Sequence, residues 1–206
     1  MTKSAILLAG GFSSRFGQDK GLAQLAKKPL AKHVLDAAKR FVDESIIVVS
    51  SEAQAQNYKQ IAGSDVDVLV DMMDFRSPLV GALTGFQKAQ GDYTILLSVD
   101  TPFLKSDVIS LLFDLSTGKN AVIPRWPNCY IEPLAAVYRT KPALKACETA
   151  LKEGKLRMQA MVDKLQSIRY VSTLVLEQLD PELRSFFNVN TPLDLKKAEN
   201  MLRRKK

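Results

Sequence analysis

The sequence has few of the residues on which metal centres and histidine-dependent catalysis rest: one histidine and two cysteines among 206 residues. His33 lies within a helical pattern, where we expect a surface or half-buried position and not a catalytic one, so a histidine-dependent catalytic triad is not predicted. Cys129 and Cys147 lie far apart and belong to neither a C-x-x-C motif nor a Cys/His cluster. This spacing predicts neither a zinc site nor a disulfide framework, and it favours a reducing cytoplasm.

Long apolar runs are also missing. No apolar stretch approaches the roughly 18 residues of a membrane-spanning helix, and no charged and apolar targeting signal precedes the first apolar segment. We therefore expect a cytoplasmic protein without a membrane partner.

The positive charge is unevenly distributed. The formal net charge is +7 at pH 7, and the last four residues, 203–206, are all lysine or arginine. The rest of the chain is only mildly basic and has no basic stripe interleaved with aromatic residues, so we expect no nucleic-acid partner. The basic tail itself is typical of a solvated helix end.

Apolar strands alternate with amphipathic helices along the chain. The predicted strands are 5–9, 46–50, 66–70, 94–99, 121–124, 130–138 and 168–172, and the predicted helices are 29–41, 52–61, 79–90, 106–115, 141–152, 157–165 and 192 onward. Ser106 and Thr191 are the predicted N-caps of two of these helices. Because the strands are apolar almost throughout, the pattern predicts a mostly parallel sheet with helices on both faces.

An apolar fraction of 46% is enough for one sizeable core, and no repeat or linker divides the chain. We therefore expect an α/β protein made of a single three-layer Rossmann-like domain, 1–202, followed by the basic tail 203–206. In such folds ligands bind at the carboxyl ends of the strands.

The most informative motif follows the first strand. Residues 8–20 read L-A-G-G-F-S-S-R-F-G-Q-D-K. Gly10 and Gly11 let the backbone approach a ligand, Arg15 and Lys20 supply a planar fork and a point charge for phosphate, and Asp19 is placed to orient Lys20. The spacing matches neither the Walker motif nor the dinucleotide fingerprint.

Two acids follow predicted strands. Asp100 comes after the buried strand 94–99, where a carboxylate can hold Mg²⁺ together with substrate phosphates. Asp71 follows strand 66–70 and precedes the turn 77–81 that opens the next helix. Both acids are therefore predicted at the edge of the sheet where ligands bind.

Near the end of the chain, Asn188 and Asn190 alternate around Val189 and precede Thr191-Pro192. In an extended segment these two asparagines share one face. Their carboxamides can donate to phosphate or accept from metal-bound water without adding charge.

In their order along the chain, these motifs resemble the signature of the molybdenum cofactor guanylyltransferases, within the wider class of nucleotidyltransferases that includes sugar-phosphate and terpenoid-precursor cytidylyltransferases. The resemblance implies a fold of the nucleotide-diphospho-sugar transferase type, Mg²⁺ as cofactor, and transfer of GMP from GTP to molybdenum-molybdopterin with release of pyrophosphate. Proteins of cofactor biosynthesis or of molybdoenzyme maturation are the partners that it suggests.

The resemblance also implies roles for individual residues. Arg15, Lys20 and Asp100 are the implied catalytic residues, with Asp100 binding the metal. The implied nucleotide-binding residues are Leu8, Ala9, Gly10, Gly11, Lys20, Asp71, Gly81 and Asp100. Asn188 and Asn190 are implied to bind the acceptor or position phosphate. The run 131–138 resembles a strand that backs the acceptor pocket, although a plain core strand explains it equally well.

The sequence departs from the family pattern at two places. Ser77 stands where the family usually has glycine, and 50–52 read Ser-Ser-Glu where an asparagine is frequent, so no nucleotide contact is assigned to 50–52.

Two alternative functions stay open. The first is the same chemistry with CTP or another acceptor, and the second is a non-catalytic nucleotide-sensing module whose basic tail docks a partner. The run Leu-Ala-Gly-Gly at 8–11 favours GTP, because cytidylyl-selective relatives tend to have Leu-Ala-Ala-Gly there.

Overall fold

The computed structural model describes residues 1–10, 16, 19–71, 73 and 77–203. Its strands are β1 Lys3–Leu8, β2 Gln24–Leu25, β3 Lys28–Pro29, β4 Glu44–Val49, β5 Val66–Val70, β6 Tyr93–Ser98, β7 Ala121–Arg125, β8 Ala135–Arg139 and β9 Ile168–Ser172. Its α-helices are α1 Leu30–Ala38, α2 Glu52–Ala62, α3 Pro78–Lys88, α4 Ser106–Asp114, α5 Thr140–Lys152, α6 Met158–Val162, α7 Thr173–Leu176 and α8 Pro192–Arg203. Short 3₁₀ turns cover Lys20–Leu22 and Arg184–Phe186.

Seven strands form one mixed sheet in the order β5-β4-β1-β6-β8-β7-β9. The first four of these run parallel, β8 is antiparallel to both of its neighbours, and β7 pairs in parallel with β9. The prediction of a mostly parallel sheet is therefore confirmed. Strands β2 and β3 form a separate two-stranded ribbon.

Alternate residues of the strands supply two separate cores. Leu7, Ile47 and Ile95 belong to the core that includes α1, α2 and α4. Ile6 and its neighbours on the other face of the sheet belong to the core that includes α3, α5 and α6. Both faces of the sheet are therefore covered, which is why the strands are mostly apolar, and the predicted three-layer architecture is confirmed.

A third, smaller cluster lies outside the sheet. Leu25, Leu30, Val189 and Ala198 pack together and join the β2–β3 ribbon, α1 and α8. The cluster holds the segment before α8 against the start of α1. It therefore brings the asparagine motif at 188–190 back to the first third of the chain.

Several local predictions need correction. Ser106 is the first residue of α4 and not its cap, since Lys105 holds the cap position and its N–H donates to Ser185 Oγ at 3.0 Å. The predicted strand 130–138 is a strand only from Ala135, because a turn closed by the Ala135 N–H, which donates to Glu132 O at 3.2 Å, interrupts it. The predicted helix 157–165 is confined to α6.

The predicted start of α8 is confirmed by its hydrogen bonds. Thr191 Oγ1 accepts from the backbone N–H of Asp194 at 3.2 Å and donates to the carboxylate of Asp194 at 2.8 Å. None of the helices within the described ranges is long and apolar enough to cross a membrane.

Candidate active site

The candidate site lies at the carboxyl edge of the parallel strands. Because β5, β4, β1 and β6 run in the same direction, the residues that follow them meet at one edge of the sheet. Main-chain bonds hold the strand ends together: Ala9 N–H donates to Val48 O at 2.8 Å, and Asp71 N–H donates to Val49 O at 2.8 Å. Leu8, Ala9, Gly10, Asp71 and Asp100 are thus brought to the same edge, as the sequence predicts.

Lys20 lies between two of the other predicted site residues. Its Nζ is 3.0 Å from Asp100 Oδ2 and 3.0 Å from Asn190 Oδ1. The side chains of Lys20 and Asp100 are each 17% exposed, so the ion pair is partly shielded from water but can be reached by a ligand. The Val189 N–H donates to Asp100 O at 2.8 Å, which fixes the asparagine motif beside the end of β6.

Asp19 acts on the turn that carries Lys20. Its carboxylate accepts from the Gly21 N–H at 3.0 Å, from Gln54 Nε2 at 2.8 Å and from Tyr58 Oη at 2.8 Å. The described hydrogen bonds of Asp19 therefore fix the backbone next to Lys20, and the predicted orienting effect is indirect. The sequence did not predict Gln54 and Tyr58 as residues near the site, because their contacts with Asp19 depend on how α2 packs.

Asp71 is a half-buried acid at the end of β5. Its Oδ1 is buried and has no hydrogen-bond partner among the described residues. Cβ atoms built on Gly10 and Gly81 would each lie 3.5 Å from a carboxylate oxygen of Asp71, so the two glycines leave room beside it. A buried acceptor without a partner is costly to the folded state, and ligand N–H groups are suitable donors for it.

Burial raises the pKa of Asp71 to about 6. Because the folded protein holds this proton more tightly than the unfolded chain does, protonated Asp71 contributes its full stabilisation below pH 4. That contribution is lost as the pH rises through about 6. We expect Asp71→Asn to stabilise the protein at pH 8 by about 1–2 kcal/mol, after allowance for solvent screening, and to have little effect at pH 4. Thermal unfolding between pH 4 and pH 8 measures this, with Asp67→Asn on the same strand as the exposed control. A Tm difference that is constant over this range would contradict it.

Three site predictions are not tested by the structure. Gly11 and Arg15 lie outside the described residues. Asn188 is exposed and donates to Phe186 O at 3.1 Å, so among the described contacts it does not join Lys20 as Asn190 does.

Glu132 is a second acid near Asp100, and the sequence pattern did not predict it as a site residue. Trp126 Nε1 donates to Glu132 Oε1 at 2.7 Å, and the Trp126 ring packs edge-on against Phe186 with ring centroids 5.8 Å apart. Burial raises the pKa of Glu132, the Trp126 hydrogen bond opposes the rise, and the charge of Asp100 adds to it. The turn before Ile131 brings Glu132 towards the site.

The two departures from the family pattern have structural consequences. Ser77 has extended backbone, with φ −150°, and its hydroxyl accepts from the Val80 N–H at 3.2 Å, so it caps α3. No left-handed conformation is needed there, and a serine fits the turn. The Ser50 N–H donates to Gln54 Oε1 at 2.9 Å.

The site offers oxygen ligands for a metal ion. Within the described ranges, no group of three or more histidine, cysteine, aspartate or glutamate residues could hold a metal. Asp100 Oδ2 and the carboxamide oxygen of Asn190 each lie 3.0 Å from the same atom, Lys20 Nζ. This set suits Mg²⁺, which binds through one or two carboxylates and takes its remaining ligands from phosphates and water.

The MobA-like NTP transferase domain family matches residues 5–168. The chain is 33% identical over 205 residues to the probable molybdenum cofactor guanylyltransferase of Methanosarcina mazei, covering 97% of this chain and 90% of that protein. It is 33% identical over 198 residues to the molybdenum cofactor guanylyltransferase of Desulfosudis oleivorans, covering 95% of this chain and 94% of that protein.

Solved structures share the fold. Molybdopterin-guanine dinucleotide biosynthesis protein A from Archaeoglobus fulgidus superposes with a TM-score of 0.82 at 28% identity, covering 98% of this chain and 99% of that one. The 4-diphosphocytidyl-2C-methyl-D-erythritol synthase of Anaerococcus prevotii superposes with a TM-score of 0.75 at 14% identity, covering 98% of this chain and 96% of that one. The second likeness concerns the fold alone.

Proposed function

The chain belongs to the MobA-like NTP transferase domain family, and we propose that it transfers GMP from GTP to molybdenum-molybdopterin, giving molybdopterin guanine dinucleotide and pyrophosphate. The observation that carries the proposal is the cluster of Lys20, Asp100 and Asn190 at the carboxyl edge of the sheet. It unites three motifs from separate parts of the chain around one amine, and the relatives that match nearly the whole chain are named as guanylyltransferases.

The strand order supports one orientation for the nucleotide. Asp71 follows β5 and Asp100 follows β6, with β4 and β1 between them, so the two acids are separated by three strand spacings, about 14 Å. We assign the base to the side of Asp71 and the phosphates to the side of Lys20 and Asp100. Leu8, Ala9, Gly10 and the neighbouring Gly81 then line the base and ribose.

The reaction needs no covalent enzyme intermediate. The terminal phosphate of molybdopterin attacks the α-phosphorus of GTP in line, a new P–O bond forms, the bond to the β-phosphate oxygen breaks, and pyrophosphate leaves. A phosphate nucleophile is already ionised at neutral pH, so no general base is required. His33 is not needed as a base: its ring nitrogen lies 2.9 Å from Leu25 O, a contact that stabilises the fold.

In this proposal the residues act by positioning and by neutralising charge. Lys20 binds the migrating phosphate as a charged donor, and Asn188 and Asn190 position the acceptor phosphate without adding negative charge. Arg15 is proposed to bind the same phosphates as Lys20. Asp100 would hold Mg²⁺ with the Asn190 oxygen, and the ion when bound would neutralise the charge of the triphosphate.

We expect GTP to be used in preference to CTP by roughly tenfold or more, since each mismatched buried hydrogen bond costs about 1–3 kcal/mol. Guanine presents two neighbouring N–H donors to an acceptor such as Asp71, whereas the pairing edge of cytosine has one amino group. Pyrophosphate release from each of the four nucleoside triphosphates, with Mg²⁺ and molybdopterin cofactor, measures the preference. Equal or faster turnover with CTP would end the guanylyl assignment and leave the fold unaffected.

A further inference from the structure

Two side chains of α2 bind the turn that carries Lys20. Asp19 Oδ1 accepts from the Gly21 N–H and from Tyr58 Oη, and Asp19 Oδ2 accepts from Gln54 Nε2. Gln54 and Tyr58 lie four residues apart on α2, so they are neighbours on one face of that helix. Asp19 and Gly21 flank Lys20. Asp19 is therefore bonded to α2 directly, and Gly21 is connected to α2 through Asp19.

The orientation of the Gln54 amide is fixed by its partners. The Ser50 N–H can only donate, and it reaches Gln54 Oε1 at 2.9 Å. The Asp19 carboxylate accepts, and it receives Gln54 Nε2 at 2.8 Å. Gln54 thus connects the residue that follows β4, on the base side, with the turn on the phosphate side.

Tyr58 has no exposed surface, and its hydroxyl donates to Asp19. Burial raises the pKa of Tyr58, and the charge of Asp19 adds to the rise, so the hydroxyl keeps its proton at any working pH. A Cβ on Gly21 would lie 2.0 Å from Tyr58 Oη. The turn therefore packs directly on the tyrosine, and glycine at position 21 is required by this contact.

We infer that Gln54 and Tyr58 are positioning residues, which act through Asp19 to hold the Lys20 amine where it meets Asp100 and the substrate phosphates. The inference rests on the proposed function for what Lys20 does, and on the described contacts for how it is held. Gln54 in addition couples the base side of the site to the phosphate side through Ser50. The described side-chain hydrogen bonds of both residues go to Asp19 and Ser50 and not to Lys20 itself.

Two nearly isosteric variants test the inference. Gln54→Glu keeps the acceptor for the Ser50 N–H but turns a second carboxylate towards Asp19, and Tyr58→Phe removes one donor. We expect kcat/KM for GTP to fall about tenfold or more in Gln54→Glu and by a smaller factor in Tyr58→Phe, since each change removes a hydrogen bond to a charged group. Gln56→Glu, exposed on the same helix, and Tyr93→Phe, whose hydroxyl accepts from the Gly118 N–H, are the matched controls.

The decisive measurement repeats Gln54→Glu and Tyr58→Phe in a Lys20→Ala background. If the two residues act through Lys20, neither variant lowers kcat/KM further there. Losses that add to that of Lys20→Ala, or wild-type kinetics in both single variants, would overturn the inference.

Hydrogen exchange separates this inference from the proposed function. The amide of Gly21 should exchange faster in Tyr58→Phe and Gln54→Glu than in the wild type and the controls, whether or not GTP is the substrate. Unchanged exchange would refute the positioning role. A wild-type protein that neither binds nor uses GTP would refute the proposed function and leave the exchange result standing.

Discussion

Replacing Asp100 by asparagine is expected to lower turnover at least about a hundredfold, because it removes the charge that would hold Mg²⁺ against the triphosphate. The shape of the side chain is kept, and the carboxamide oxygen still accepts from Lys20 Nζ, which lies 3.0 Å from Asp100 in the wild type. The Tm should therefore change little. Pyrophosphate release across a range of Mg²⁺ concentrations, together with thermal unfolding, measures both effects.

The matched control is Asp114→Asn, an exposed acid at the end of α4. It should leave both rate and stability near the wild-type values. If Asp100→Asn keeps its rate within about threefold of the wild type, well under the 1.4 kcal/mol that corresponds to one decade, the metal site lies elsewhere. If the variant unfolds at once, Asp100 has a structural role.

The parallel part of the sheet was predictable because its signals are local. Val66–Val70 and Ile168–Ser172 have the predicted bounds, since each is a β-type run bounded by polar or turn residues. The antiparallel insertion of β8 between β6 and β7 was not predictable, because an apolar run carries no information about its partners. Ser106 shows the same limit at a helix start, where a distant residue, Ser185, binds the N–H of the actual cap.

The candidate site was likewise predictable only in part. Asp71 and Asp100 were predictable, since an acid after an apolar strand falls at the carboxyl edge of a parallel sheet. The bonds of Lys20 join residues 80 and 170 positions apart, and they depend on how α8 and the strand ends pack. The contacts of Asp19 with α2 likewise arise only once the helix has packed against the sheet.

The second large effect is expected for Lys20→Ala. A lysine beside a partly desolvated triphosphate contributes a charge-assisted hydrogen bond of about 1.5–3 kcal/mol, so kcat/KM for GTP should fall about tenfold to a hundredfold. Lys20 is well placed for this role, because its amine already lies between Asp100 and Asn190 and its side chain is only 17% exposed. Steady-state kinetics with GTP at low and at physiological salt measure the loss.

Deleting 203–206 separates the charge of the site from the charge of the tail. Arg203 is the exposed last residue of α8, and salt screens exposed charges, so the truncated protein should keep its kcat/KM at physiological salt. A small loss at low salt alone would reflect slower encounter with an anionic substrate. If the truncation instead costs as much as Lys20→Ala at both salt concentrations, the tail takes part in the site or docks a partner, and a nucleotide-sensing role gains support over catalysis.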